Sequence, residues 1–394
     1  MKLAYRADVA FDGERVMPGG ALVLVRDGMI VGMESGSAPA PAEYTVSYRS
    51  GTTLLPGLID AHTHLCGNNQ FDALDRLPGL STEQLDETII AAMGRQLAHG
   101  ITAVRDVGDQ AWAVVDRHRK APDGPTVVAS GPPITSPGGH CAQMGGEVIG
   151  VEALRQAVRE RAERGADLVK IMTSGGMMTQ HTDFRACQYT VEELRAAVDE
   201  AHRLGLPVAA HAHAATAVRQ CVDAGVDTIE HCSCFGENGM RTPPGLAEAI
   251  AAAGIVVCPT LGHDLSALDE QSRAMIDKVG FSVEQGLAQV GELYRGGVTL
   301  VSGVDSGINP LKPHGLMAEA LIQLSQAGVP VATVLASATG LAAQAIGLGD
   351  RTGRLRPGLD ADLLIVDGDA IADVSSVHNV RTVVSRGRLI TSAN

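Results

Sequence analysis

The chain has 394 residues, 45% of them apolar and only 3% aromatic, and its 31 basic and 45 acidic residues leave a net charge of −14. That acidic balance argues against non-specific binding to nucleic acid or to an anionic membrane, and no apolar run approaches the length of a membrane span. The seven cysteines are scattered and odd in number, which fits reduced thiols in a soluble cytoplasmic protein.

The first residues, MKLAYRADVAFDG, lack the apolar segment of a signal peptide. Residues 1–52 read as short strands. Ala21–Val25 and Met29–Met33 flank Asp27-Gly28 and predict a hairpin, because Asp-Gly favours the left-handed backbone of a tight turn. The prolines at 39 and 41 mark a loop, since neither can donate to a ladder. Thr45–Arg49 reads as a further strand, and nothing in this region carries chemistry.

From Leu54 onward strand-like and helix-like stretches alternate. Eight apolar runs read as strands: Leu54–His62, Ile101–Asp106, Thr126–Ser130, Leu168–Met172, Pro207–His211, Asp227–His231, Ile255–Pro259 and Thr299–Val304. Helical stretches at Ser81–His99, Val151–Arg164, Thr190–Leu204 and Pro243–Ala253 separate several of them. Thr190 and Glu193 have the spacing of a capping box. This repetition predicts an α/β chain with a (β/α)8 TIM barrel at 53–351. After it, Asp360–Gly368, Val380–Val384 and Arg388–Ile390 return to strands. They are expected to pair with the N-terminal strands, so that 1–52 and 352–394 form a small β-sandwich domain.

The active site of such a barrel lies at the C-terminal ends of its strands. The first run ends in His62 and His64, which alternation places on one face, an arrangement that suits a divalent transition metal, zinc first. Alone, the pair could equally be loop histidines. The fourth run contains Lys170, the fifth ends in His211 and His213, the sixth in His231 and the eighth in Asp305. A lysine inside an apolar strand is costly unless neutralised or paired. Burial lowers its pKa, and a neutral amine can take up carbon dioxide to become a carbamate with two ligand oxygens. A structural ion pair is the alternative reading of Lys170.

Together these motifs resemble the amidohydrolase superfamily: PGLIDAHTH at Pro56–His64, VKIM at Val169–Met172, VAAHAH at Val208–His213, TIEH at Thr228–His231 and GVDS at Gly303–Ser306. PGLDADLLIV at Pro357–Val366 is similar to a sandwich strand of that family. The resemblance spans essentially the whole chain. It is strongest to the binuclear branch of metal-dependent prolidases and imidazolonepropionase-related amidohydrolases. It implies that His62, His64, Lys170 and Asp305 bind a buried metal. Lys170, as N6-carboxylated lysine, would bind a more exposed metal together with His211 and His231. A hydroxide bridging these two divalent ions, zinc in the first instance, would attack a substrate carbonyl. Asp305 would carry its proton to the leaving nitrogen. His213 would polarise the carbonyl, bind substrate or replace His211 as ligand. His140, in the Gly-rich loop Ser136–Cys141, would contact substrate or simply be solvated.

Other features read plainly. Arg105 and Asp106 fit an internal ion pair. Gly175 and Gly176 allow close backbone approach near the fourth strand. Only residues 231 and 233 of the sixth strand should face inward, leaving Cys232 and Cys234 to packing. Met177 and Met178 fit either pocket lining or packing, and His181, His202 and His263 have no telling spacing. The expected reaction is hydrolysis of an amide-type C–N bond in a dipeptide, an N-acyl amino acid or a cyclic amide. A lactone, a carbamate ester or an amide-linked toxin is an alternative substrate. A mononuclear deaminase is a second reading, disfavoured because Ala214 stands where a glutamate is usual and Lys170 would have no role. A non-catalytic binding protein is a third, disfavoured because every expected ligand is present. The expected partner is a small molecule, with neither nucleic acid nor membrane, and the expected assembly a homo-oligomer.

Overall fold

Pro56 ends one strand and Leu58 begins another, and the glycine between them carries the chain from one sheet to the next. In the computed structural model, which describes all residues except 1, 180, 238, 268, 272, 274–275, 277–279, 281 and 391–394, Gly57 N–H donates to Asp362 O and Leu58 N–H to Gly100 O, each at 2.9 Å. A Cβ at Gly57 would lie 2.1 Å from Oγ1 of Thr102, so only glycine lets the two layers approach here. The single run expected at Leu54–His62 is therefore two strands, Thr52–Pro56 and Leu58–Thr63, in different sheets.

Leu58–Thr63 pairs in parallel with Ile101–Asp106, which pairs with Thr126–Ala129. A second parallel set runs Val169–Met172, Val208–Ala214, Thr228–Gly236 and Val256–Cys258. Single parallel bridges join the two sets: Ile134 with Ile171, Val257 with Leu300, and Ser306 with Thr63. Asp305 N–H donates to His62 O at 2.7 Å and Ala61 N–H to Ser302 O at 3.0 Å, which closes the circuit of pairings on itself. The run Thr299–Val304 was expected as a strand but carries a single isolated bridge, at Leu300, instead. Ser302 N–H leaves the ladder for Ser337 O at 2.8 Å, and the two serine hydroxyls meet at 2.7 Å.

Helices connect these strands, and the fold is mixed α/β. Ser81 and Gln84 cap Thr82–Ala98 reciprocally, and Thr190 and Glu193 cap Val191–Arg203 in the same way. In the latter helix Leu194, Ala197, Val198 and Ala201 are buried, the 3–4 spacing of a face pressed on the strands. The helix expected at Pro243–Ala253 is trimmed to Leu246–Ala252, because two prolines and a left-handed Gly245 precede it.

The chain ends meet. Thr52–Pro56 pairs antiparallel with Leu363–Asp367 on one side and parallel with Val9–Phe11 on the other. Val380–Ser385 and Arg388–Ile390 extend that sheet. A four-stranded sheet holds Lys2–Ala7, Ala21–Arg26, Met29–Ser35 and Thr45–Tyr48, with Asp27 and Gly28 both at positive φ in the expected hairpin turn. Tyr5, Val23 and Val25 from one sheet and Leu54, Leu363 and Val384 from the other share one apolar cluster. Leu55, pointing the opposite way from Leu54, joins the large cluster around the parallel strands. Among the described residues no helix is long and apolar enough to cross a membrane.

Candidate metal centre

His62 and His64 leave the end of the first parallel strand on one face, as alternation requires. Their Nε2 atoms stand 3.2 and 3.3 Å from the same oxygen, Oδ1 of Asp305. That oxygen is buried and, among the described residues, has no properly directed hydrogen bond. Three donor atoms converging on one point without satisfying one another is an arrangement that a divalent cation completes.

The far side of each ring is fixed. His62 Nδ1 meets Glu230 Oε2 at 2.7 Å, and His64 Nδ1 meets the carbonyl of Gly108 at 3.0 Å. Carboxylates and carbonyls only accept, so both rings carry their proton on Nδ1 and present a lone pair on Nε2. Burial would raise the Glu230 carboxyl, but Arg105 and His62 hold it well below the usual carboxylate range. Burial likewise works against the Asp305 carboxylate, and two imidazole lone pairs beside this anion call for a cation between them.

A second triad stands beside the first. His211, His213 and His231 each offer a ring nitrogen within a common 4.8 Å, and the rings of His62 and His231 are 5.1 Å apart. His211 Nε2 donates to Gly175 O at 3.1 Å, which leaves its Nδ1 free. His231 Nδ1 meets Oγ1 of Thr260 at 2.8 Å and His213 Nδ1 meets Oγ of Ser233 at 2.9 Å. Burial pushes His211 and His231 well below the ordinary histidine range and His213 down to about 4. All three are then neutral near pH 7, the form in which imidazole ligates metal.

Lys170 lines the same cavity and is almost wholly buried. Burial lowers its pKa, with Glu230 and Asp305 pulling the other way. Among the described residues its ammonium enters no ion pair and no hydrogen bond, so the structural ion-pair reading finds no partner. His140 lies with its ring 4.6 Å from that of His211, and its Nδ1 meets Thr179 Oγ1 at 2.8 Å. It is buried rather than solvated, and its pKa falls to about 3 through burial and the neighbouring His213. A Cβ at Gly176 would lie 2.3 Å from the His140 ring and one at Gly175 2.4 Å from the Asp183 carbonyl oxygen, which accounts for the glycine pair after the fourth strand.

All eight residues singled out in the sequence line one cavity of about 1240 Å³, measured with its open mouth. Several neighbours were missed. Glu230 is adjacent to His231, yet both side chains reach His62, because His231 sits at φ 67° and breaks the strand's alternation. The parity argument for the sixth strand therefore fails, although Cys232 and Cys234 do pack in the core and Ser233 does line the cavity. Asp305 is left-handed too, at φ 65°. Arg105 pairs with Glu230 at 2.8 Å, while Asp106 accepts the N–H of Leu65 at 2.7 Å and secures the turn after His64. His263 and a buried Lys312 also line the wall, Met177 and Met178 take the pocket-lining place that was one of their two readings, and His202 pairs with Asp227 on the surface. A lysine in the Pro310–Pro313 loop has no signal in spacing or periodicity.

Residues 53–390 match the Amidohydrolase family. The ochratoxinase of Aspergillus niger is 26% identical over 392 residues, covering 91% of this chain and 80% of the relative. The imidazolonepropionase of Paracoccus denitrificans is 26% identical over 372 residues, covering 83% of each. A crystal structure of a Xaa-Pro dipeptidase with methionine bound in its active site superposes with a TM-score of 0.84 at 26% identity, covering 99% of this chain and all of that one.

Proposed function

The chain belongs to the amidohydrolase family, and from that premise we propose that it hydrolyses an amide-type C–N bond in a dipeptide, an N-acyl amino acid or a cyclic amide. The observation that carries this reading is the orphaned Oδ1 of Asp305, aimed at by two imidazoles and bordered by a second imidazole triad. The donor set fits two divalent ions, zinc first. His62, His64 and Asp305 would hold one, His211 and His231 the other, and Lys170 as its carbamate would join both. Such ions lower the pKa of water toward neutrality and polarise a carbonyl.

The residues supply the rest. The Asp305 carboxylate takes the proton of the attacking water and returns it to the leaving nitrogen. If the Ser233 hydroxyl donates to Nδ1 of His213, its Nε2–H is left to donate to the substrate carbonyl. His140, held by Thr179, contacts the substrate from beside His211. The relatives named above are an ochratoxinase, an imidazolonepropionase and a dipeptidase, which supports this bond class.

The closed circuit of parallel strands supports a (β/α)8 barrel at 53–351, and the pairing of the chain ends supports a β-sandwich domain from 1–52 and 352–394. The same proposal takes the protein as a cytoplasmic homo-oligomer acting on a small molecule, without nucleic-acid or membrane partner, in keeping with its net charge of −14.

The test is metal content per chain, in protein prepared with bicarbonate and without chelator, for wild type and Lys170→Ala. About two metals, falling sharply in the variant, are expected. About one metal, untouched by the variant, would overturn the carbamate and favour a mononuclear centre.

A further inference from the structure

Lys312 is buried in the wall of this cavity, and nothing above uses it. Its ammonium donates to the carbonyl of Thr260 and, at 3.0 Å, to that of Val304. Thr260 is the residue whose hydroxyl meets His231, and Val304 directly precedes Asp305. Lys312 therefore bridges the ends of two neighbouring strand segments, beside both triads. An ammonium has three N–H donors, and two are committed to carbonyls. Among the described residues no carboxylate forms an ion pair with it. A buried cation held only by neutral carbonyls is costly, and an anionic ligand group is the partner that would offset that cost.

The rest of the wall narrows the ligand. Met177, Met178, Leu265, Leu287 and Val290 present an apolar surface. Asp305 is the one carboxylate among the described lining residues, and His62 and His64 already face it. The ammonium of a free dipeptide would find no acid to pair with. Resting on the amide-hydrolase reading, we propose that Lys312 is a specificity residue pairing with the α-carboxylate of an N-acyl amino acid whose acyl group is apolar. That carboxylate stands one carbon from the scissile nitrogen, so a cation next to the reacting centre is placed to read it.

The test uses an inert pair, N-hexylsulfonyl-L-leucine and its carboxamide, titrated calorimetrically into metal-loaded wild type, Lys312→Met and Lys312→Arg. Wild type should bind the acid at least ~10-fold more tightly than the carboxamide, the scale of one charge-assisted contact. Lys312→Met should bind both alike, at the wild-type carboxamide affinity, and Lys312→Arg should keep part of the preference. No preference in wild type, a preference that survives in Lys312→Met, or an equal loss for both ligands would overturn the assignment. Should Lys312→Met not fold, Lys312→Gln keeps amide donors without the charge and reads the same difference. Hydrolysis of N-hexanoyl-L-leucine by wild type is measured separately. Its absence would count against amide hydrolysis, while the titration would still decide whether Lys312 reads a carboxylate.

Discussion

Oε2 of Glu230 accepts the Nδ1 proton of His62 at 2.7 Å, and that contact fixes which nitrogen of the ring faces Asp305. Oε1 of the same carboxylate accepts from Arg105 at 2.8 Å and from the Thr228 hydroxyl at 2.7 Å. Glu230→Gln keeps the shape but removes the charge, and metal affinity should fall ~10–100-fold, read by competition with a chelator. Glu230→Ala also strands the Arg105 charge and should cost about 3–5 kcal/mol in urea unfolding. Unchanged metal affinity in Glu230→Gln would show that the ring is oriented by something else.

His211 and His213 share a strand face but should separate on substitution. His211→Ala is expected to lose metal. His213→Ala is expected to retain it while kcat falls by ~100-fold or more, as for a lost proton donor. Metal analysis beside steady-state kinetics distinguishes them. Metal loss from His213→Ala would make it the ligand and leave carbonyl polarisation without a residue.

Gly57 is the seam between the two layers. Gly57→Ala sets a methyl against Thr102, whose Oγ1 and Cγ2 would lie 2.1 and 2.5 Å away, and should cost about 1–3 kcal/mol. Thr102 Oγ1 is itself buried without a hydrogen bond, so Thr102→Ala alone should be mild. The double variant should recover most of the loss. Additive costs in a denaturation cycle would contradict the steric account.

Asp362 gives the fold a pH dependence outside the candidate metal centre. Burial raises its pKa from 3.8 to about 6, against the hydrogen bonds from Thr352 and the backbone of Arg386. The folded state thus holds a proton that the unfolded state releases between those values. Stability contributed by this group is present below pH ~4 and is lost as pH rises toward ~6, about 3 kcal/mol in all. Asp362→Asn should flatten that slope, measured as the denaturation midpoint across this range. An unchanged slope would assign the effect to other carboxyls.

The candidate centre was legible because the residues that converge there are chemically rare at strand ends: His62, His64, Lys170, His211, His231 and Asp305 stand out from the apolar runs that precede them. Helix ends were legible where local chemistry sets them, as at Ser81 and Thr190. Three things were not. The break at Gly57 depends on a close approach to Thr102, a partner distant in sequence. Glu230 was hidden because a left-handed His231 upsets the parity on which the reading relied. Lys312 lies in a loop, where no periodicity says which way a side chain turns.

The pairing of Thr52–Pro56 with Leu363–Asp367 also sets a timetable for synthesis. A growing chain exposes the Leu54-Leu55 strand early, but the strand that covers it, Leu363–Asp367, is translated only after the whole set of parallel strands. Ser306 must likewise return to Thr63 before the parallel circuit closes. Until then the emerging polypeptide carries open, apolar strand edges, the surfaces most prone to wrong partners. Folding is therefore forced to be late and long-range, and C-terminal truncation before residue 363 should yield aggregated product, whatever the integrity of the histidine cluster.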